Sequence, residues 1–374
     1  MNSKTKRICF VYAPSTNWVG GKNYYISLFN QIENSKVDKY EYYIFTPKDI
    51  SVDELNRFTR FKIVKTSLLN KKYNKIRAAV DVFFSEQSYL IPLLKKHRIN
   101  ILSHSYVSPF SKVKSLPWIP DFQHKYLPEF FKKRELKIRD RRMTKYFRFC
   151  DVIVSSQSAR DDAYKYFHIN NNVFVYRFNP VMDVERTVQN EKEEVCIDGK
   201  YLFLPNQFWR HKNHILFFEA IRKCVKEGMN IKVICTGKTS DYRNPEYYST
   251  VEGFVKENNL SENIVILGLV DRERYIELLN NCHFFINPSL FEGWSTTVEE
   301  AKFLNKRLLL SDITVHKEQV ENYKNSYFFK KDCVSSCSNM LRELWNTDGN
   351  ITSSVKNGND EYLKVVLGEI SWKG

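Results

Sequence analysis

Short apolar runs alternate with helical patterns along nearly the whole chain. RICFVYA (7–13) reads as a buried strand. A loop with Gly20 and Gly21 follows, and then NYYISLFNQI sets Tyr25, Ile26, Phe29 and Ile32 at helical spacing. YEYYIFT (40–46), AVDVFFS (79–85) and INILSHS (99–105) read as further strands. DVIVSSQSARDDAYKYF reads as strand, turn and helix, and NVFVYRFNP closes this half. Residues 181–199 are charged and lack a period, as a linker does. The pattern then restarts. YLFLPNQ, NIKVICTG, NIVILGL, HFFINPS and RLLLSD are strands, separated by the helical stretches HILFFEAIRKCVKEG, YYSTVEGFVKENNL and RERYIELLNNC. Two helical candidates remain near the end, at 334–346 and 358–368.

Strands alternating with helices predict parallel sheets covered on both faces. The fold class is therefore α/β, with two Rossmann-like domains facing each other across a cleft. The boundaries fall at 1–180 and 200–355, with 181–199 as the linker and 356–374 as a final helix. Such folds bind ligands beyond the carboxyl ends of their strands, and a cleft between two of them is the default site.

The composition fits that picture. Of 374 residues, 43% are hydrophobic, enough for two real cores. No run approaches the ~20 apolar residues that span a bilayer, and the start MNSKTKRICFVYAP lacks the apolar stretch and cleavage site of a signal peptide. The expectation is a cytoplasmic protein. The eight cysteines are scattered, most of them inside apolar runs, and read as free buried thiols with no metal-ligand cluster.

The net charge of +15 asks for an anionic partner. It concentrates between Lys125 and Arg148, with ten Lys or Arg against three acids. A solvated helix face explains such a run. A basic amphipathic surface touching anionic lipid explains it equally, with Phe130, Phe131, Tyr146 and Phe147 reaching the headgroups. The protein would then sit peripherally on the inner face of the plasma membrane.

FEGWSTTVEEA (291–301) carries the candidate chemistry. Thr296-x-x-Glu299 is a capping-box pattern, and Asn305 suits the left-handed residue that ends a helix. The free N–H groups of Ser295, Thr296 and Thr297 would favour a phosphate. Glu292 and Glu300 flank that anion hole, where carboxylates suit sugar hydroxyls. Amides for a diphosphate and acids for ribose and sugar fit a sugar nucleotide, although an ordinary capped helix with solvated acids has the same spacing.

PSLFEGWSTTVEEA resembles the E-x7-E signature of family 4 retaining glycosyltransferases of the GT-B fold, with Glu292 and Glu300 at the matching spacing. FLPNQFWRHKNHILFFEAI resembles that family's phosphate-binding segment. NIVILGLVDRERYIELLNNCHFFINPS resembles its nucleobase stretch, DVIVSSQSARDD and FNPV the end of its first domain, and APSTNWVGGKNYYISL its glycine-rich first loop. The resemblance implies that Glu300 holds the ribose hydroxyls and Glu292 the donor sugar. Gly293, Trp294, Ser295, Thr296 and Thr297 would surround sugar and diphosphate, and Gly268, Leu269 and Val270 would hold the base. Gly20 and Gly21 would give close backbone approach. Lys212 takes the place of the family's diphosphate Lys, but Gln207 stands where an Arg is usual, so Arg210 is the candidate replacement. WIPDFQHKYLPEFF resembles an acceptor-side segment. It offers Asp121 and His124, with His104 as a competitor, since Pro120 occupies the usual His position.

The implied activity is retaining transfer of a hexose-type sugar from a nucleotide sugar to a glycan or lipid-linked acceptor, in surface polysaccharide or lipopolysaccharide biosynthesis. No divalent metal is expected. The base, diphosphate and ribose would lie on the second domain and the acceptor on the first, with the final helix crossing back. Rivals are a nucleotide-sugar 2-epimerase of the same fold, a non-catalytic sugar-binding relative, and a basic nucleic-acid-binding protein. The last is disfavoured, because no nucleic-acid motif accompanies the basic segment.

Overall fold

The computed structural model describes residues 5–14, 19–35, 39–73, 87–107, 111–178, 180, 199–347 and 362. They form two compact units. One takes the described residues up to 122, those from 133 to 180, and Tyr362; the other takes Gln123–Lys132 and residues 199–347.

The first unit holds β1 (Lys6–Val11), α1 (Val19–Glu33), β2 (Tyr40–Pro47), β3 (Phe61–Thr66), α2 (Ile91–Lys96), β4 (Ile101–Ser103) and β5 (Lys114–Leu116). These strands make a parallel sheet in the order β3-β2-β1-β4-β5. After Pro117, β6 (Trp118–Ile119), β7 (Val152–Val154) and β8 (Val173–Val175) form a second parallel sheet. Between β6 and β7 the chain makes α3 (Gln123–Tyr126), which packs in the other unit, and α4 (Lys133–Phe149); α5 (Gln157–Tyr166) precedes β8. Ser156 caps α5, its hydroxyl accepting from the Ala159 N–H at 3.0 Å.

The second unit runs β9 (Leu202–Leu204), α6 (His214–Lys226), β10 (Val233–Thr236), α7 (Tyr247–Glu257), β11 (Ile264–Gly268), α8 (Arg272–Asn281) and β12 (Phe284–Asn287). It continues through α9 (Thr296–Phe303), β13 (Leu308–Ser311), α10 (Thr314–Gln319), β14 (Ser326–Phe329) and α11 (Val334–Trp345). Its parallel sheet has the order β11-β10-β9-β12-β13-β14. Tyr201, just before β9, and the residues of β9 feed opposite cores in alternation. Leu202 and Leu204 join Phe217, Ile221 and Leu341, while Tyr201 and Phe203 join Leu279, Val298 and Leu310. Both faces are covered, which explains why these strands read as continuous apolar runs. The strand order reverses between β9 and β12, and this crevice is where doubly wound sheets place ligands.

Several details differ from the sequence reading. The strands β3, β5, β6 and β14 were not anticipated. β3 alternates buried Phe61 with exposed Lys62 and lacks an apolar run. Gly20 and Gly21 belong to the first turn of α1 and not to a loop. AVDVFFS (79–85), most of the linker 181–199 and the helix expected at 356–374 lie outside the described residues, apart from Gly199 and Tyr362. Among the described residues no helix is long and apolar enough to cross a membrane.

Phe130, Phe131, Tyr146 and Phe147 are all at most 9% exposed, which corrects the expectation that they meet lipid headgroups. Tyr146 and Phe147 pack on Phe122, Val152 and Ala163 in the first unit's core. Phe130 and Phe131 lie beneath the guanidinium groups of Arg210 and Arg243, at 4.9 and 5.0 Å.

Candidate functional site

The site grows from the carboxyl ends of β9 and β12. Asn206, just past β9, donates from Nδ2 to Asn287 Oδ1 at 3.1 Å, tying the two strands at the reversal point. Asn287 Oδ1 also accepts from Ser289 Oγ at 2.6 Å, and Asn287 Nδ2 donates to Ser295 Oγ at 3.2 Å. Asn206, Asn287 and Ser289 are at most 2% exposed, so each polar group must find its partner within the fold. Gly237 lets this geometry close. Its φ is +139°, and a Cβ there would meet the Asn206 carbonyl oxygen at 2.5 Å.

Glu292 stands in the loop after β12. Its Oε1 receives Lys212 Nζ at 2.5 Å and Ser289 Oγ at 2.7 Å. Lys212 ends a short 3-10 turn, Arg210–Lys212, whose His211 carbonyl accepts from the Leu290 N–H at 2.8 Å. That bond fixes the lysine's turn against the glutamate's loop. Both side chains are mostly buried, 14% and 9% exposed. Burial alone would raise the Glu292 pKa, but the charge of Lys212 and its hydrogen bond to the carboxylate hold it at about 2. The carboxylate is therefore ionised at neutral pH and acts as an acceptor and a fixed negative charge, not as an acid. Burial and the neighbouring Lys212 keep His211 neutral. Burial also lowers His214 to about 3 and His316 to about 4.

Helix α9 starts one residue earlier in register than the Thr296 capping box predicts. Ser295 is the N-cap, its hydroxyl accepting from the Val298 N–H at 3.4 Å. Glu299 is thereby freed from capping, and both its oxygens take Lys302 Nζ at 3.0 Å. The Ser295 N–H is not free for a ligand, because Gln319 Oε1 accepts it at 3.1 Å, and Gln319 Nε2 returns a bond to the Ser295 carbonyl at 3.0 Å. The amides of Thr296 and Thr297 remain at the first two helical positions, where the helix supplies no acceptor. At the other end, Asn305 adopts φ +54° as anticipated, and the Lys306 N–H reaches back to the Ala301 carbonyl at 2.9 Å.

Glu300 is 3% exposed. Its two oxygens are held separately, Oε1 by Arg272 Nη1 at 2.8 Å and Oε2 by Tyr275 OH at 2.6 Å. Burial, and then the adjacent Glu300 charge, push the Tyr275 hydroxyl well above its ordinary pKa. The tyrosine is thus a fixed donor. Arg272 is the exposed partner of the two, with 44% of its side chain in solvent.

The structure brings Lys212, Glu292, Ser295 and Thr297 into one bonded network, since Thr297 Oγ1 lies 3.1 Å from Ser295 Oγ. Gly293, Trp294 and Thr296 lie half-buried within the same loop and helix start. Gly268 ends β11 with φ +70°, Leu269 beyond it is 71% exposed and Val270 is half-buried. Gln207 is half-buried, with its side-chain oxygen buried and unbonded among the described residues. Arg210 rests on the Phe130 ring and makes no bond to Glu292 among the described residues. Gly20 is half-buried and Gly21 buried, and the neighbouring Lys22 pairs with Glu54 at 3.1 Å.

Asp121 is half-buried in the first unit. His124 is 2% exposed with its ring edge-on to Phe131, a packed imidazole and not one open to substrate. His104, with φ +60°, accepts or donates between Tyr24 OH (2.7 Å) and Ser103 Oγ (2.8 Å), and burial lowers it to about 3. Asn206, Asn287, Ser289, Arg272, Tyr275 and Gln319 were missed by the sequence reading. The asparagine in each strand-end stretch FLPNQ and FINPS was the available signal.

Residues 185–358 match the sequence model of the family described as Glycosyl transferases group 1. The chain is 24% identical over 186 residues to the O-antigen chain mannosyltransferase RfbU of Salmonella typhimurium. That match covers 47% of this chain and 49% of the relative, about half the relative's length. In structure, the chain is similar to a glycosyltransferase from Rickettsia africae, with a TM-score of 0.62 and 14% identity over 92% of this chain and 89% of that one. It is similar also to Anabaena HepE in complex with UDP and glucose, with a TM-score of 0.62 and 12% identity over 91% and 90% of the two chains. The fold is that of the GT-B glycosyltransferases, two α/β units with parallel sheets.

Proposed function

We propose that the protein is a retaining glycosyltransferase of the family 4 kind. It moves a hexose-type sugar from a nucleotide-sugar donor to a glycan or lipid-linked acceptor in surface-glycan biosynthesis. The observation that carries this reading is the convergence of Lys212, Glu292, Glu300 and the α9 N-terminus at the strand-order reversal of the second unit. A diphosphate at that helix end meets the amides of Thr296 and Thr297 and the Lys212 ammonium. Preorganised positive charge there stabilises the leaving group as the glycosidic bond breaks.

Glu292, ionised at neutral pH, accepts hydrogen bonds from the donor sugar's hydroxyls and faces the positive charge that develops at the reacting carbon. Lys212 is then shared between Glu292 and the phosphates. Ribose hydroxyls displace Arg272 and bond to Glu300, and exposed Leu269 gives the base an apolar face. The acceptor hydroxyl attacks from the face that the nucleotide leaves, and the leaving phosphate takes its proton. The RfbU and HepE likenesses support a sugar-nucleotide donor, and the former supports a polysaccharide acceptor. Asp121 remains a candidate on the acceptor side.

The test is release of nucleoside diphosphate from UDP-, GDP- and ADP-sugars with and without added glycan acceptors, with the product anomer read by NMR. Acceptor-dependent release with the donor's configuration kept is the expected result. Conversion of the sugar without an acceptor would support an epimerase instead, and inversion would overturn the retaining assignment.

A further inference from the structure

We propose that Tyr126 and Phe291 form an aromatic shelf that holds one pyranose ring of the acceptor beside Glu292. This rests on the glycosyltransferase reading and names a subsite within it.

The shelf is built from two distant parts of the chain. Gln123–Lys132 leaves the first half of the sequence and packs within the second unit. Arg243 pins both ends of this segment. Its Nη1 donates to Gln123 Oε1 at 3.1 Å, and its guanidinium lies over the rings of Phe131 (5.0 Å) and Trp209 (5.5 Å). Arg210 over Phe130 adds a second pin. Gln123, His124, Phe130 and Phe131 are all at most 8% exposed. Tyr126, between the pins, is 44% exposed, and its ring centroid lies 5.2 Å from that of Phe291 at 35°.

Exposed aromatics are common and usually mean nothing. Tyr164 and Phe149, both also exposed, illustrate this on helices of the first unit. Tyr126 differs because a segment anchored by its buried Gln123, His124, Phe130 and Phe131 and pinned by two arginines holds it against the residue that precedes Glu292. A pyranose is amphiphilic: one face presents C–H groups and its edge presents hydroxyls. An aromatic face suits the former, and an ionised carboxylate paired with an ammonium suits the latter. Donor phosphates belong to the α9 end, on the other side of Glu292 along the chain. With the donor phosphates assigned to that end, the ring held by Tyr126 and Phe291 is assigned to the acceptor.

Saturation-transfer NMR on the full-length protein tests this, with methyl pyranosides of mannose, glucose and galactose as probes. Saturation should reach the ring C–H protons of at least one probe. It should fall at least fivefold in Tyr126→Ala and persist in Tyr126→Phe. Thermal shifts with nucleotide sugars should be the same in Tyr126→Ala as in the wild type. No saturation of any probe by the wild type would overturn the shelf, as would a signal unchanged in Tyr126→Ala. Nucleotide-sugar binding weakened as strongly as probe binding would overturn its assignment to the acceptor. If no nucleotide sugar binds the wild type while the probe signal behaves as predicted, the donor reading fails and the shelf stands.

Discussion

Lys212 and Glu292, 80 positions apart, meet at 2.5 Å with nine-tenths of the carboxylate side chain out of solvent. The pair locks the turn after β9 to the loop after β12. Removing one partner from such a pair strands the other charge, which costs more than the pair itself contributes. Lys212→Met should destabilise the ligand-free protein by about 3 kcal/mol. The double variant Lys212→Met, Glu292→Gln should recover at least 1 kcal/mol of that loss, a coupling of the size found for residues in contact. Chemical denaturation of the four proteins measures it, and strict additivity would show that the two charges do not feel each other.

Four histidines make the fold acid-sensitive. His104 and His214 titrate at about 3 and His316 at about 4, with His211 well below 6.5, all because burial disfavours the charged form. The unfolded chain takes up these protons near pH 6.5 and the folded chain does not. Stability is therefore full above about pH 6.5 and falls as pH drops, by up to about 1.4 kcal/mol per histidine per pH unit. Glu292 adds a lower window. Its folded pKa of about 2 lies below the ordinary 4.5, so its contribution is present above 4.5 and lost as pH falls toward 2. A melting temperature that stays level from pH 8 to 7 and then drops steeply below 6.5 is expected; a level profile down to pH 4 would contradict the buried neutral imidazoles.

Gly237 tolerates no side chain. A Cβ would lie 2.5 Å from the Asn206 oxygen and 2.9 Å from Gln207 Cα, both backbone atoms, at a φ of +139°. Gly237→Ala should cost roughly 2 kcal/mol or more, combining strain with displacement of the strand end. Gly228→Ala is the control: φ is +87° there, but nothing lies within 4 Å, so only the conformational cost of roughly 1 kcal/mol applies. Equal melting temperatures for the two variants would refute the close approach.

Tyr275→Phe leaves Glu300 Oε2 buried without its donor. A loss of about 1–3 kcal/mol is expected. Calorimetry on the ligand-free protein checks it, and an unchanged melting temperature would mean that solvent already satisfies that oxygen.

Strands β9 to β13 of the second unit were readable because both faces of that sheet are covered, which makes them apolar runs. β3 and β14 were not readable, since their half-exposed residues break any run. Glu292, Glu300 and Lys212 were singled out as candidates by the resemblance of their stretches, and the structure pairs Lys212 with Glu292. Their partners were not, because the contacts are long-range: Arg272 and Tyr275 reach Glu300 from a different helix, and Gln319 caps Ser295 from beyond β13. The capping register slipped by one because Ser295 and Thr296 are both good caps, and Gln319's hold on Ser295 decides between them. The basic segment misled for a related reason. Its aromatics satisfy the protein's own cores and cations, which local charge counting does not reveal.

The central claim is that residues 292–300 and Lys212 hold a sugar nucleotide, and thermal denaturation against UDP-, GDP- and ADP-sugars tests it most directly. One base should stabilise the protein selectively, by about 2.7 kcal/mol when the ligand is at 100 times its Kd. That stabilisation should weaken at least tenfold in affinity for both Glu300→Gln and Lys212→Ala. A panel that shifts nothing, or a shift that survives unchanged in both variants, would contradict the account.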